Sequence, residues 1–236
     1  MANILMIETS GKACSVALSR DFAIEFSRST MEGPNHATVL GPFVEETMQY
    51  ARENGVMPDA IAVSEGPGSY TGLRIGVSEA KGLAFGLGVP LIAVGTLKAM
   101  CCQVMFHTDI EMEEGALYCP MIDARRMEVY MALYDQALGE VKSPAAVVID
   151  EQAAAELLHD RIIYYFGDGA DKCRDLFAKF PDAHFVKEVR VQARDMLALS
   201  IQAFNRGQFA DTAYFTPFYL KEFQATRPKD PLSSLS

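Results

Sequence analysis

The feature that most constrains this chain is a hairpin written twice. Ile4-Leu5-Met6-Ile7-Glu8 reads as a buried strand, Thr9-Ser10-Gly11-Lys12 as a turn, and Ala13-Cys14-Ser15-Val16-Ala17-Leu18 as the antiparallel partner. After Cys119-Pro120 the design returns. Met121-Ile122-Asp123 leads through Ala124-Arg125-Arg126-Met127 into Glu128-Val129-Tyr130-Met131-Ala132-Leu133. Ile7-Glu8 aligns with Ile122-Asp123, and Leu18 with Leu133, at an offset of 115 residues. Two strand–acid–turn–strand units, one per half, predict a duplicated domain. Chance similarity between two buried hairpins is the alternative.

Residues 22–29 suit a third antiparallel strand. Gly33-Pro34-Asn35 breaks the pattern, and Asn35 is placed to cap a helix over 36–53 that ends at Asn54-Gly55. Its apolar stripe is Val39, Leu40, Phe43, Val44 and Ala51. A strand at 60–63, a glycine-rich turn, a helix over 73–86 and a strand at 91–94 follow. In the second helix Leu73, Gly76, Val77, Ala80, Leu83, Ala84 and Leu87 share one face. Ile75 and Phe85 fall outside it and hint at a second contact surface. The second half is thinner: a helix at 151–158, a strand at 162–166, a turn at Gly167-Asp168-Gly169 and a helix at 193–205. The expected fold is α/β, with two mixed sheets covered by helices and the second domain shortened. The expected division is 1–106 for the first domain, 107–226 for the second, and 227–236 as a disordered Pro/Ser-rich tail.

Composition narrows the setting. Half of the 236 residues are hydrophobic, enough for a core, yet no run approaches the roughly 20 apolar residues of a membrane span. Met1-Ala2-Asn3 enters the first strand without a basic segment or cleavage site, so no signal peptide is expected. Five cysteines, an odd number with no C-x-x-C, point to reduced thiols packed as small hydrophobes in a cytoplasmic protein. A formal net charge of −10 makes the chain a poor stand-alone nucleic-acid binder, because phosphate affinity comes largely from Lys and Arg. If the chain works on RNA, a basic partner holds the RNA.

A duplicated hairpin with an acid ending each first strand is the layout of actin-like ATPases, in which backbone N–H groups of the hairpin turns hold phosphates. Thr9, Ser10 and Gly11 partly meet that need. The second turn has no glycine, so nucleotide binding by the isolated chain is expected to be absent or weak. Arg125 and Arg126 either contact a phosphate or acidic partner, or are solvated surface residues. The run Gly66-Pro67-Gly68-Ser69-Tyr70-Thr71-Gly72, between a strand and a helix, is either an anion site or a tight structural turn. Gly72, Gly76, Gly82 and Gly86 each cost about 1 kcal/mol relative to Ala inside a helix, which suggests close approach of another helix. No H-E-x-x-H, G-x-S-x-G or P-loop pattern occurs. Cys101-Cys102 is expected in the core, and His36 to be structural or interfacial.

These motifs resemble the TsaB family, also called YeaZ, actin-like (ASKHA, ribonuclease H-like) paralogues of the enzyme TsaD. The resemblance rests on Ile7-Glu8-Thr9-Ser10, on His36 with Pro42, and on Gly66 to Gly76 followed by Ala80-Lys81-Gly82-Leu83-Ala84. It continues at Val94-Gly95-Thr96-Leu97, Ile122-Asp123-Ala124-Arg125-Arg126 with Glu128-Val129-Tyr130, Gly167-Asp168-Gly169-Ala170 and Pro217-Phe218-Tyr219-Leu220-Lys221. The resemblance implies a role in making threonylcarbamoyladenosine at position 37 of tRNAs. There TsaC makes the adenylate, TsaD transfers the threonylcarbamoyl group, TsaE is an ATPase that joins the pair, and TsaB-like chains pair with TsaD without catalysing the transfer. It further implies contact with TsaD, or with a second copy when TsaD is absent, through helices 36–53 and 73–86, with tRNA reached only through the complex. Leu40, Phe43, Leu73, Arg74, Val77 and Lys81 are the candidate contact residues, and Arg or Glu at position 77 is expected to break the heterodimer. TsaD-like chains carry His-x-x-x-His after the helix–strand unit. Here Val94 to Met100 contains no histidine, so no metal site, catalytic residue or cofactor is expected in the isolated chain. A nucleotide completed at the TsaD interface stays open, with Thr9, Ser10, Gly66, Gly68, Ser69, Thr71 and Gly72 as candidates. A metal-independent peptidase-like hydrolase and a weak actin-like ATPase are the competing functions.

Overall fold

The computed structural model describes residues 2–31 and 35–221. Gly33-Pro34 and the tail at 227–236 lie outside the described residues. The first sheet begins with the antiparallel meander β1 (Asn3–Glu8), β2 (Cys14–Arg20) and β3 (Ala23–Thr30). It continues after α1 (His36–Asn54) with β4 (Ala60–Gly66), parallel to β1, and after α2 (Tyr70–Leu87) with β5 (Leu91–Gly95), parallel to β4. The order across the sheet is β3-β2-β1-β4-β5. Helix α3 (Thr96–His107) then leads to the second half.

The second sheet repeats the plan strand for strand. β6 (Leu117–Asp123), β7 (Glu128–Tyr134) and β8 (Glu140–Val148) form the meander. After α4 (Glu151–Leu158) comes β9 (Ile163–Phe166), parallel to β6, and after the one-turn helix α5 (Arg174–Phe177) comes β10 (Ala183–Val186), parallel to β9. The order, β8-β7-β6-β9-β10, is that of the first sheet. A 3-10 turn (Ala193–Met196) and α6 (Leu197–Asn205) close the repeat, so the helix expected over 193–205 is a tight turn followed by an α-helix.

Each sheet has an outer face under its own helices and an inner face shared with the other. Leu5, Ile7, Val16 and Leu18 pack against Leu40, Val44, Met48, Val77 and Ala84. Met121, Val129, Met131 and Leu133 pack against Ala154, Leu157 and Phe177. Ile4, Met6 and Ile92 of the first sheet meet Tyr118, Ile122 and Phe166 of the second in one core, filled by Leu97, Met100 and Val104 of α3 with Met196 and Ile201. Helix α3 lies between the sheets, against β4 and β5 as well as β6 and β7, while the 193–196 turn and α6 return to β1 and the first sheet.

That arrangement corrects the residue-by-residue alignment of the two hairpins. Ile7 lies on an outer face and Ile122 on the inner one, and Glu8 is fully buried where Asp123 is exposed. Glu8 pairs with Ser15 and Asp123 with Val129, so the second turn is one residue shorter. Side chains alternate along a strand, so a one-residue slip moves every residue to the opposite face. The repeat is real in topology; the 115-residue frame holds for β2 and β7, where Leu18 and Leu133 both face outward, and is one residue out for β1 and β6. Asn35 also departs from expectation. Its side chain makes no cap bond; its carbonyl accepts from the N–H groups of Thr38 and Val39.

Candidate functional site

The β1–β2 turn and the glycine run form one interlocked unit. Thr9 and Ser10 are 0 % and 1 % exposed. Thr9 Oγ1 donates to the Gly72 carbonyl at 2.8 Å, and Ser69 N–H donates to the Ser10 carbonyl at 2.6 Å. The Ser69 hydroxyl caps α2 by accepting from Gly72 N–H at 3.2 Å. A Cβ at position 68 would stand 2.4 Å from the Ser10 carbonyl oxygen, and one at position 72 would stand 2.1 Å from that of Thr9. The glycines therefore admit the chain's own backbone, and the approach that Gly72 and Gly76 permit is by the Thr9 turn rather than by another helix. Of the expected nucleotide loop, Thr9, Ser10, Gly66 and Gly72 are buried and Gly68 is half-buried, while Ser69 and Thr71 face solvent. Gly82 and Gly86 have nothing near them.

Beneath this turn lies a buried acid. Burial pushes Glu8 up to about 7, against hydrogen bonds from Ser10 N–H and Ser10 Oγ to Oε1 and the influence of the Ser64 hydroxyl, with Asp195 adding a like charge. Glu8 Oε2 and the Ser64 hydroxyl have no hydrogen-bond partner among the described residues. Burial likewise raises Asp195 to about 6, against the Gln192 N–H bond and Arg194. The turn carrying Asp195 is fastened to the first sheet by Ala193 N–H donating to Ser15 Oγ at 2.9 Å.

The β6–β7 turn is open and ion-paired. Asp123 accepts from Arg125 N–H at 3.0 Å and pairs with Lys172, whose ammonium also donates to the Glu128 carbonyl at 2.6 Å. Arg125 and Arg126 are both exposed and both left-handed, with φ of 71° and 47°. Gly169 lets the following loop close on Ile122, as Gly68 and Gly72 do on the first turn. Among the described residues no group of three or more His, Cys, Asp or Glu is placed to hold a metal. All five cysteines are buried with free thiols, and burial pushes Cys14 up to about 11 and Cys102 to about 12, away from nucleophilic range at neutral pH. His36 is buried, its Nε2 3.1 Å from the Ala13 carbonyl.

The six candidate contact residues divide. Leu40, Leu73 and Val77 are 2 %, 0 % and 4 % exposed and belong to this chain's interior. They offer no surface to a partner, and a charge at position 77 would damage the fold, contrary to expectation. Phe43 is half-buried against the outer core, and Arg74 is exposed over the Tyr70 ring. Lys81 donates to the carbonyls of Ala213 and Phe215 at 3.1 and 3.0 Å. The outward surface of the helix pair is instead a groove of about 370 Å³ whose walls include Arg52, Ser78, Gly82, Leu83 and Gly86. Phe85, 85 % exposed, lies on the same helix, as its place off the core face suggested; Ile75 packs partly against the outer core.

Residues 30–225 match the family described as "TsaD: tRNA N6-adenosine threonylcarbamoyltransferase". The tRNA threonylcarbamoyladenosine biosynthesis protein TsaB of Escherichia coli (strain K12) is 30 % identical over 228 residues, which cover 92 % of this chain and 94 % of that protein. The chain belongs to the TsaB family. TsaB of Bacillus subtilis (strain 168) is 35 % identical over 136 residues, 58 % of this chain and 56 % of that one. The structure of YeaZ from Pseudomonas aeruginosa superposes with a TM-score of 0.75 at 31 % identity, covering 93 % of this chain and all of that one. A putative N-acetylmannosamine kinase from Listeria monocytogenes, at 11 % identity and a TM-score of 0.51 over 87 % of this chain and 99 % of that one, shares the fold alone. The fold is thus the duplicated α/β, actin-like ASKHA fold.

In this TsaB-family chain the segment Pro217 to Lys221 ties the two turns together. Phe218 N–H donates to the Glu65 carbonyl at 2.7 Å, and the Phe218 carbonyl oxygen fills the space a side chain on Gly66 would need. The Tyr219 and Tyr70 rings lie 4.6 Å apart, and Lys221 pairs with Glu128 of the second hairpin. Part of the expected second domain therefore packs on the first. Nothing in the local sequence signals it; the contacts join residues some 150 positions apart. Among the described residues no helix is long and apolar enough to cross a membrane.

Proposed function

We propose that this chain is the non-catalytic partner of TsaD in N6-threonylcarbamoylation of adenosine 37 of tRNA, with TsaE as the third component. The observation that carries the reading is the first hairpin turn. In a chain that matches the TsaD family over most of its length, the place an actin-like enzyme keeps open for phosphates is filled by Thr9, Ser10 and the glycine run. The ion-paired second turn and the raised thiols add support. The protein works in the cytoplasm and reaches tRNA through the complex. It pairs through the solvent side of α1 and α2, around Gly82, Gly86, Phe85, Arg74 and Phe43, and the same face joins two copies when TsaD is absent. A nucleotide at the interface would have Ser69 and Thr71 within reach.

Co-expression with TsaD of the same organism, followed by purification and light scattering, tests this. A one-to-one complex is expected, lost in Phe85→Glu and Gly82→Arg while the variants keep the circular dichroism of the parent. tRNA modification by the reconstituted set should stop without the chain. Absence of a complex at micromolar concentration, or modification that proceeds without the chain, overturns the proposal.

A further inference from the structure

Between the two sheets, at the end of β7 opposite the Arg125–Arg126 turn, a cleft of about 440 Å³ stands half open to solvent. That volume falls within the range of small-molecule sites. One wall is apolar, with Leu97, Leu199 and Phe218. The other gathers charge. Lys98 Nζ lies 3.5 Å from Glu140 Oε1 and 5.5 Å from the centre of the Tyr134 ring, so an α3 lysine meets two residues of the second sheet. Glu65, half-buried at the end of β4, lines the same cavity. Its carboxyl is raised by burial, with Lys98 opposing, and the Tyr134 hydroxyl is raised by burial and by the charges of Cys101, Glu140 and Glu65.

Two carboxylates thus face one ammonium, in a protein of formal net charge −10. Lys98 balances one of them. An anionic ligand would meet the second uncompensated, whereas a cation would balance it. The Tyr134 ring beside Lys98 already acts as a platform for an ammonium group. We infer that this cavity binds a small amine, its ammonium between Glu65 and Glu140 and its apolar body against Leu97, Leu199 and Phe218. The site is distinct from the two hairpin turns and independent of pairing with TsaD.

Two probes of the same size and opposite charge test it. Phenethylamine and phenylacetate are titrated separately into isotope-labelled protein near neutral pH, and backbone amide resonances are followed. Phenethylamine should shift residues around Lys98, Tyr134, Glu140 and Ala203 in a saturable way, and phenylacetate should not. Glu65→Gln should weaken the amine about tenfold, a loss of one charge partner, with the spectrum otherwise that of the folded parent. Equal shifts from both probes, no shift from either at millimolar concentration, or undiminished amine binding by the variant would overturn the inference.

Discussion

At the β1–β2 turn, Thr9 and Ser10 are sealed from solvent and the strand-ending acid sits in the interior; at the β6–β7 turn, Arg125 and Arg126 stand in solvent and the acid is neutralised by Lys172. The strands around the two turns have the same order and directions. Duplication therefore preserved what the sheets need, pairing and buried faces, while the turns diverged according to what covers them. The first is covered by a glycine loop from 60 residues downstream, and that loop must be bare where Gly68 and Gly72 meet the Ser10 and Thr9 carbonyls. The second is tied by lysine side chains, which reach around bulky neighbours and tolerate the absence of glycine.

The sharpest way to break this contrast is to give the glycine loop a side chain. Gly72→Val would drive carbon atoms into the Thr9 carbonyl and should cost at least about 3 kcal/mol, read by urea denaturation. A loss below about 1 kcal/mol would mean that the first turn is as pliable as the second.

Next in size is the pH dependence of the buried acid. Glu8 binds its proton more tightly folded than unfolded, its carboxyl being raised from the ordinary 4.5 to about 7. The stability this gives is fully present below the unfolded value and is lost as pH rises from 4.5 to 7, amounting to about 3 kcal/mol. Glu8→Gln should flatten most of that slope in denaturation series across the same window. Asp195, raised to about 6, contributes with the same sign and leaves a residual slope. An unchanged slope in the variant would show that Glu8 is solvated.

The second turn should respond weakly and to salt instead. Lys172→Met removes the partner of a half-exposed Asp123 and should cost about 0.5–1 kcal/mol, shrinking at high ionic strength. Smallest, and of opposite sign, is Arg125→Gly. Relief of a left-handed arginine should raise stability by about 0.5 kcal/mol, seen as a small rise in Tm. A loss of stability there would indicate a contact by the arginine side chain worth more than its backbone strain.

Much of the architecture was legible in the residues themselves. Alternation and turn residues marked β1, β2, β6 and β7, the apolar stripes marked α1 and α2, and the glycine run read as an anion site or a tight turn, of which the structure shows the tight turn. β8 escaped because it is an edge strand whose first half is exposed, leaving no alternation to see, and β10 because its four residues are mostly half-buried and lack the continuous apolar run that marks β9. The partner-facing surface was misplaced for a related reason. Periodicity groups Leu73 with Val77 on one face of a helix but is silent on whether that face meets the protein's own sheet or another chain. The hairpin frame, right for β2 and β7, slipped by a residue in β1 and β6 because sequence similarity does not count the length of a turn. The sequence by itself determined most of the strands and helices and that the design occurs twice, since those show in local patterns of apolar and turn residues. What fills each turn, which helix face is interior, and where the two halves meet in a charged cavity depend on residues far apart in the chain, and only the packing of the two sheets decided them.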